Sequence, residues 1–176
     1  MNKQTKKQAS KQTNKQHNET TEQQRTVDTL FDAEDGLAQL FVCVGKSGKG
    51  KSYFVRYLLT DMLSTGKLKF GLVFTRTKFN GDYKFLPDKR VLEGYDEEIL
   101  KKYINNIRAI CEKEGYIAPN FLIFDDLVGV LNNQTPWFSN FMSIFRHTNT
   151  TIFICVQYLM GRNAVSPLTR EQTNYC

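Results

Sequence analysis

Leu37-Ala38-Gln39-Leu40-Phe41-Val42-Cys43-Val44-Gly45-Lys46-Ser47-Gly48-Lys49-Gly50-Lys51-Ser52 decides the reading of this chain. Its first half is mostly apolar and partly β-branched, as expected of a strand covered on both faces. Its second half fits the pattern G-x-x-x-x-G-K-[ST]. Three Gly-Lys steps occur here, so the register has to be fixed. Gly45-Lys46 would need a glycine at position 40, which is Leu40, and Gly48-Lys49 is followed by Gly50, which has no hydroxyl. Gly50-Lys51-Ser52 has both its partner glycine, Gly45, and a terminal hydroxyl.

The spacing has a chemical reason. A strand delivers the chain to a loop of small residues whose N–H groups turn inward around phosphate oxygens, and a helix beginning near Ser52 adds its positive end. Lys51 then reaches the β- and γ-phosphates while the Ser52 hydroxyl ligates Mg²⁺. Gly45, Lys46, Ser47, Gly48, Lys49, Gly50, Lys51 and Ser52 are therefore the expected nucleotide-binding residues. Within that set Lys46 and Lys49 add positive potential or face solvent.

Working outward, residues 52–64 place Phe54, Val55, Leu58, Leu59, Met62 and Leu63 at helical spacing, and Gly66 closes that helix. Phe70-Gly71-Leu72-Val73-Phe74 is a second strand, followed by a polar stretch with turns at Asn80-Gly81-Asp82 and Pro87-Asp88. Residues 96–114 read as a long amphipathic helix whose acidic start suits the helix dipole. Phe121-Leu122-Ile123-Phe124 is a buried strand, residues 137–146 a helix, and Thr151-Ile152-Phe153-Ile154-Cys155-Val156 a further buried strand. Alternating strands and helices predict an α/β fold with a mainly parallel sheet.

Two strand ends carry chemistry. Asp125 follows four apolar residues and is expected at the carboxyl end of its strand, where ligands bind in open α/β sheets. It is the natural partner of Ser52 for Mg²⁺, and Asp126, pointing differently, suits polarising a hydrolytic water. Two carboxylates after an apolar run also serve simply to open a loop. Gln157 ends the later strand, where its amide can contact the γ-phosphate or the water; an ordinary strand-terminal residue is the plainer explanation. Arg146 precedes that strand. It is either a solvent-exposed arginine or one supplied to a neighbouring subunit's nucleotide.

Composition limits the rest. The 176 residues suit one domain, and 40% hydrophobic with 12% aromatic content fills a real core. No apolar run approaches the ~20 residues that span a bilayer, and no signal-peptide pattern opens the chain. The default expectation is a cytoplasmic or nuclear protein. Lys3, Lys6, Lys7, Lys11, Lys15 and Arg25 against Glu19 and Glu22 give residues 1–26 a charge of +4, leaving +2 of the total +6 for residues 27–176. The expected organisation is a disordered basic tail over 1–26 and one domain over 27–176. Such a tail holds nucleic acid by phosphate contacts or is a solvated leader. Cys43, Cys111, Cys155 and Cys176 form no C-x-x-C pair, and with His17 and His147 they give no metal-ligand cluster, so free thiols are expected.

Gly45–Ser52, then Phe121-Leu122-Ile123-Phe124-Asp125-Asp126, then Arg146-His147 leading through Thr151-Ile152-Phe153-Ile154-Cys155-Val156 to Gln157, resembles the FtsK–HerA superfamily of DNA-pumping ATPases. Within it, the chain looks most like the genome-packaging ATPases of large double-stranded DNA viruses and virophages. The resemblance covers roughly residues 28–176. It implies a RecA-like P-loop fold, ATP and Mg²⁺ as cofactors, and ATP hydrolysis coupled to movement of double-stranded DNA. It also implies Lys51, Asp126, Gln157 and Arg146 as catalytic residues, with Arg146 acting across a subunit interface, and Ser52 with Asp125 for the metal. Arg170 resembles an arginine often seen after the glutamine strand.

Relatives are similar in forming hexameric or pentameric rings that thread duplex DNA, which makes capsid proteins expected partners and the host cytoplasm or virion the expected location. Residues 80–90 and 132–136 are candidate DNA-contacting loops. Such domains continue with another strand and helix where this chain stops at Cys176, so its C-terminal end is expected to be incomplete. The alternatives are a translocase or helicase of replication or segregation, a P-loop small-molecule kinase, and an assembly module without turnover. The acidic pair speaks against the last two, and Gln157 against the kinase.

Overall fold

The computed structural model describes residues 38–127, 135–158 and 166–174. The expected tail over 1–26, the start of the domain at 27, Leu37 of the first strand and most of the 132–136 loop lie outside the described residues. Among the described residues five strands form one sheet: β1 (Leu40–Val44), β2 (Phe70–Thr75), β3 (Val91–Glu93), β4 (Asn120–Asp125) and β5 (Thr150–Val156). Their order is β1-β5-β4-β2-β3 and every pairing is parallel. The strand that follows the carboxylate-bearing β4 in sequence thus lies between β4 and the loop-bearing β1.

The helices are α1 (Lys51–Ser64), α2 (Glu97–Glu114), α3 (Pro136–Ile144) and the short α4 (Pro167–Glu171). Side chains alternate across a strand, and the alternation here divides the core in two. Leu40, Val42, Leu72, Phe74, Leu122, Phe124, Ile152 and Ile154 pack with Leu100, Ile104 and Ile107 of α2 and Phe138, Phe141 and Met142 of α3. The opposite face carries Phe41, Val73, Ile123 and Phe153, with the Phe41 and Phe153 rings stacked at 4.9 Å. That is the face of α1, whose Val55, Leu58, Leu59 and Met62 are buried. With both faces covered the strands are apolar almost throughout, which is why they were legible as continuous runs.

Two differences from the expected elements have physical reasons. The helix expected over 137–146 starts at Pro136, where Thr135 caps it by accepting from the Phe138 N–H, and it ends at Ile144. A 3₁₀ turn, Phe145–Thr148, carries Arg146 instead, held by the Thr148 hydroxyl donating to the Phe145 carbonyl at 2.8 Å. Strand β3 was not expected at all. Three residues are too few to show a period, and it forms because β2 offers an edge beside which Val91 pairs with Val73.

Candidate functional site

The loop after β1 is fastened at one point and open elsewhere. The Gly45 N–H donates to the Val156 carbonyl at 3.1 Å, which ties the start of the loop to the end of β5. Gly48 and Gly50 have φ of 72° and 84°, a region that L side chains rarely adopt. Lys46, Ser47, Gly48, Lys49 and Gly50 are exposed; Lys51 and Ser52 are half-buried. Lys51 is folded back, its Nζ donating to the Lys46 carbonyl at 3.1 Å. Gly50 caps α1 without a side chain, and no acidic residue lies in the first turn. The free N–H groups and the positive helix end therefore stand uncompensated, as an anion site requires.

The strand register extends the site across the sheet. Cys43 pairs with Cys155, Cys155 with Asp125, and Asp125 with Thr75, so these four form one row at the carboxyl-terminal rim. By alternation the row lies on the face that α1 covers. At about 4.8 Å per strand, Asp125 stands roughly 10 Å from the backbone of Cys43. The charges of Asp125 and Lys51 both reach the Cys43 thiol. That thiol is held below the ordinary range, chiefly by its hydrogen bond with Cys155, while the same bond and burial push Cys155 well up.

Asp125 is 1% exposed. Its Oδ2 accepts from the Tyr83 hydroxyl at 2.9 Å, while Oδ1 is buried with no hydrogen-bond partner among the described residues. A buried carboxylate oxygen left unbonded costs stability. It fits a site completed by a cation and its water, with Asp125 and Ser52 as the oxygen donors that Mg²⁺ prefers. Burial first, and then the Asp125 charge, pushes the Tyr83 phenol far above its ordinary range, so it remains a donor at every working pH.

Asp126 has φ of 54°, a left-handed conformation that Asp tolerates better than most residues. The turn swings its carboxylate off the strand direction toward β5, where Gln157 Nε2 donates to Asp126 Oδ1 at 3.3 Å. The two strand-end residues expected to share a role are thus in contact. Strain of this kind is retained where neighbouring structure compensates for it, and it clusters at functional sites.

Arg146 is elsewhere. Its guanidinium donates to Gln172 Oε1 at 2.7 Å, to the Gln172 carbonyl at 3.2 Å and to Asn174 Oδ1 at 3.0 Å, and it lies over the Phe145 ring at 4.6 Å. Asn174 in turn accepts from the Leu40 N–H. Arg146 therefore stands at the amino-terminal end of the strands, a seven-residue strand of roughly 20 Å away from Gln157. The structure does not bring it to the other site residues of its own chain. Arg170 lies in α4. Two contributors escaped the sequence: Tyr83, one of three aromatics in a polar stretch without periodicity, and the Cys43–Cys155 pairing, which depends on strand order.

A glycine loop between strand and helix, with carboxylates at the tip of the next strand but one in a parallel sheet, defines the P-loop NTPase class. Two solved structures share the fold. One is the genome packaging NTPase B204 from Sulfolobus turreted icosahedral virus 2 in complex with ATPγS (17% identity, TM-score 0.55, 80% of this chain and 72% of that chain covered). The other is the monomer form of TcpA, the pCW3 conjugation coupling protein, with ATPγS (14% identity, TM-score 0.53, 78% of this chain covered). This chain spans about half of TcpA, 48% of its length. No curated relative matches the chain by sequence. The chain belongs to the Poxvirus A32 protein family, whose profile matches residues 28–171. The expected α/β P-loop fold is borne out, and the family match over residues 28–171 covers nearly all of the span, roughly 28–176, over which a family resemblance was expected.

Proposed function

We propose that this chain is the motor domain of a ring-forming ATPase that uses ATP hydrolysis to move double-stranded DNA, loading a viral genome into a capsid. The observation that carries the hydrolytic part is the Gln157–Asp126 contact at 3.3 Å. It couples a carboxylate suited to polarise water to an amide suited to sense the γ-phosphate, whereas a small-molecule kinase needs an acceptor pocket instead. The family and the likeness to a packaging NTPase support the DNA-moving part.

Lys51 exchanges the Lys46 carbonyl for the β- and γ-phosphate oxygens, and N–H groups of the loop other than those of Gly45 and Lys49, which are bonded to the Val156 and Lys46 carbonyls, cradle the phosphate chain. Ser52 and Asp125 would hold Mg²⁺, which when bound would neutralise charge on the phosphates. Asp126 accepts the proton of the attacking water, and Gln157 orients that water and reports the loss of the γ-phosphate. Arg146 serves the neighbouring subunit of a pentamer or hexamer, exchanging its bonds to Gln172 and Asn174 for a partner's nucleotide on assembly. Capsid proteins are the further partners, and the host cytoplasm or virion is the location. Among the described residues no helix is long and apolar enough to cross a membrane.

The test is ATP turnover with and without duplex DNA, for the native chain and for Lys51→Ala and Asp126→Asn. DNA-stimulated turnover lost in both variants is expected. Turnover indifferent to DNA but dependent on a small acceptor would make the chain a kinase. A translocase serving transfer or segregation would share the site chemistry, and binding to the capsid protein separates it from a packaging motor.

A further inference from the structure

The segment between β2 and β3, residues 76–90, is unlike the rest of the domain. Arg76, Lys78, Lys84, Lys89 and Arg90 against Asp82 and Asp88 give it +3, so the remainder of residues 27–176 is net −1. Both acids are answered locally: Asp88 by Lys78 at 3.0 Å, and Asp82 by Arg56 of α1 at 3.8 Å. Arg76, Lys84 and Lys89 are exposed and form no ion pair among the described residues. Between these charges stand two exposed aromatics, Phe79 at 78% and Phe85 at 44%. Lys78, Lys84 and Tyr83 also line a cleft of about 260 Å³. Exposed cations interleaved with exposed aromatic rings are the surface chemistry of nucleic-acid contact, in which cations neutralise phosphates and rings meet bases or sugars.

The same segment holds a buried link to the nucleotide site. Tyr83 is 3% exposed in the middle of this polar stretch, and its hydroxyl is the partner of Asp125 Oδ2. At the root of the segment Thr75, registered beside Asp125, accepts from the Thr77 N–H at 3.2 Å. We propose that residues 76–90 form the surface by which this chain grips the phosphodiester backbone of duplex DNA, and that Tyr83 makes the grip depend on the state of Asp125. This rests on the reading of the chain as a DNA motor. Tyr83 is a positioning residue: it does not touch nucleotide, but any shift of the Asp125 carboxylate on engaging the metal's water shell pulls on the segment that carries Phe79 and Lys84.

Two triple variants of the full chain test the surface. Arg76→Glu/Lys84→Glu/Lys89→Glu reverses the segment, and Lys102→Glu/Arg108→Glu/Lys113→Glu makes the same charge change on exposed positions of α2. Duplex affinity is read by fluorescence anisotropy over a salt series, nucleotide binding serves as the folding check, and sedimentation reads assembly. The segment triple is expected to weaken duplex binding at least about tenfold and to lower the salt slope by about 2–3, near 0.9 for each phosphate no longer neutralised. The α2 triple is expected to do much less. Equal weakening in both triples, none in the segment triple, or a change in assembly alone would overturn the surface.

Tyr83→Phe keeps the ring and removes the donor. In the native chain Mg²⁺–ATPγS is expected to change duplex affinity by about fivefold or more, an ordinary coupling between linked sites. In Tyr83→Phe that factor is expected to collapse toward one while duplex affinity without nucleotide stays within twofold. An intact coupling factor in Tyr83→Phe would overturn the link. A native chain that hydrolyses ATP but binds no duplex sinks the motor reading itself. A native chain that binds duplex indifferently to the segment triple sinks this inference alone.

Discussion

At the amino-terminal end of the strands, Asn120 is 0% exposed and its side chain is bonded throughout. Its Oδ1 accepts from Tyr103 at 3.1 Å and Thr150 at 2.9 Å, and its Nδ2 donates to the Thr148 and Asn149 carbonyls at 2.8 and 2.9 Å. At the carboxyl-terminal end of the same strand Asp125 is just as enclosed, yet one of its oxygens has no partner among the described residues. Only four residues of sequence lie between them. A buried polar group whose bonds are complete holds structure together; one whose bonds are incomplete is held ready for something that arrives later. The Asn120 end also collects Arg146, Gln172 and Asn174 in closed hydrogen bonds, and positive φ occurs at both ends, at Asn149 here and at Asp126 there, so it is the state of the hydrogen bonds that tells the two apart.

The harshest test of that contrast is Asp125→Asn. Turnover should fall by about 100- to 1,000-fold, the usual cost of removing a preorganised electrostatic partner. The melting temperature of the nucleotide-free chain should hold or rise, because a buried charge with an unbonded oxygen has gone. Calorimetry beside a phosphate-release assay reads both, and a large drop in melting temperature would show that Asp125 is a structural group after all. Asn120→Ala is the mirror image. It leaves the Tyr103 hydroxyl without its partner and takes one bond each from the Thr150 hydroxyl and the Thr148 and Asn149 carbonyls, which keep another, so a stability loss of about 2 kcal/mol or more is expected. Nucleotide affinity of the folded fraction should stay within twofold. If urea denaturation shows a loss under about 1 kcal/mol, the network at this end is slack and the contrast fails.

A subtler probe is Gln157→Ala. Its contact to Asp126 is a single 3.3 Å bond at a half-buried position, so little stability depends on it. The expected result is a turnover loss of about tenfold, worth about 1.4 kcal/mol, with nucleotide affinity nearly unchanged. A matching rise in the Kd for ATP would reassign Gln157 from orienting water to binding nucleotide.

How much of this was readable beforehand follows the same division. Strands with both faces covered show as apolar runs, so β1, β2, β4 and β5 were visible, as was the glycine loop, because its chemistry is local in sequence. Asp125 and Asp126 were visible as strand-end carboxylates, but that Asp126 turns through a left-handed residue to meet Gln157 depends on β5 lying beside β4, which no local pattern encodes. Tyr83 was invisible for a related reason: its partner lies 42 positions away, and the polar stretch around it reads as a turn. Arg146 shows the limit from the other side. Its neighbours in sequence were clear, but its bonds to Gln172 and Asn174 come from a segment with no periodicity of its own.

The smallest expected effect concerns two helix starts. At α2, Asp96 caps by accepting from the Ile99 N–H at 3.0 Å, and Glu97 and Glu98 fill the first turn. At α1, glycine caps and no acid is present. The first helix start is satisfied by its own side chains, and the second is left for phosphate. Tyr53→Glu, at a 65% exposed position in the first turn of α1, would give that helix what α2 already has. A carboxylate there should stabilise the nucleotide-free chain by about 0.3–1 kcal/mol through the dipole. It should also weaken ATP binding several-fold, since it competes for the same N–H groups and repels the phosphates. Melting temperature and nucleotide Kd should therefore report opposite senses, stability up and affinity down. Were both to fall together, the open start of α1 would be an accident of composition, and the division between a finished end and a waiting end would lose its second support.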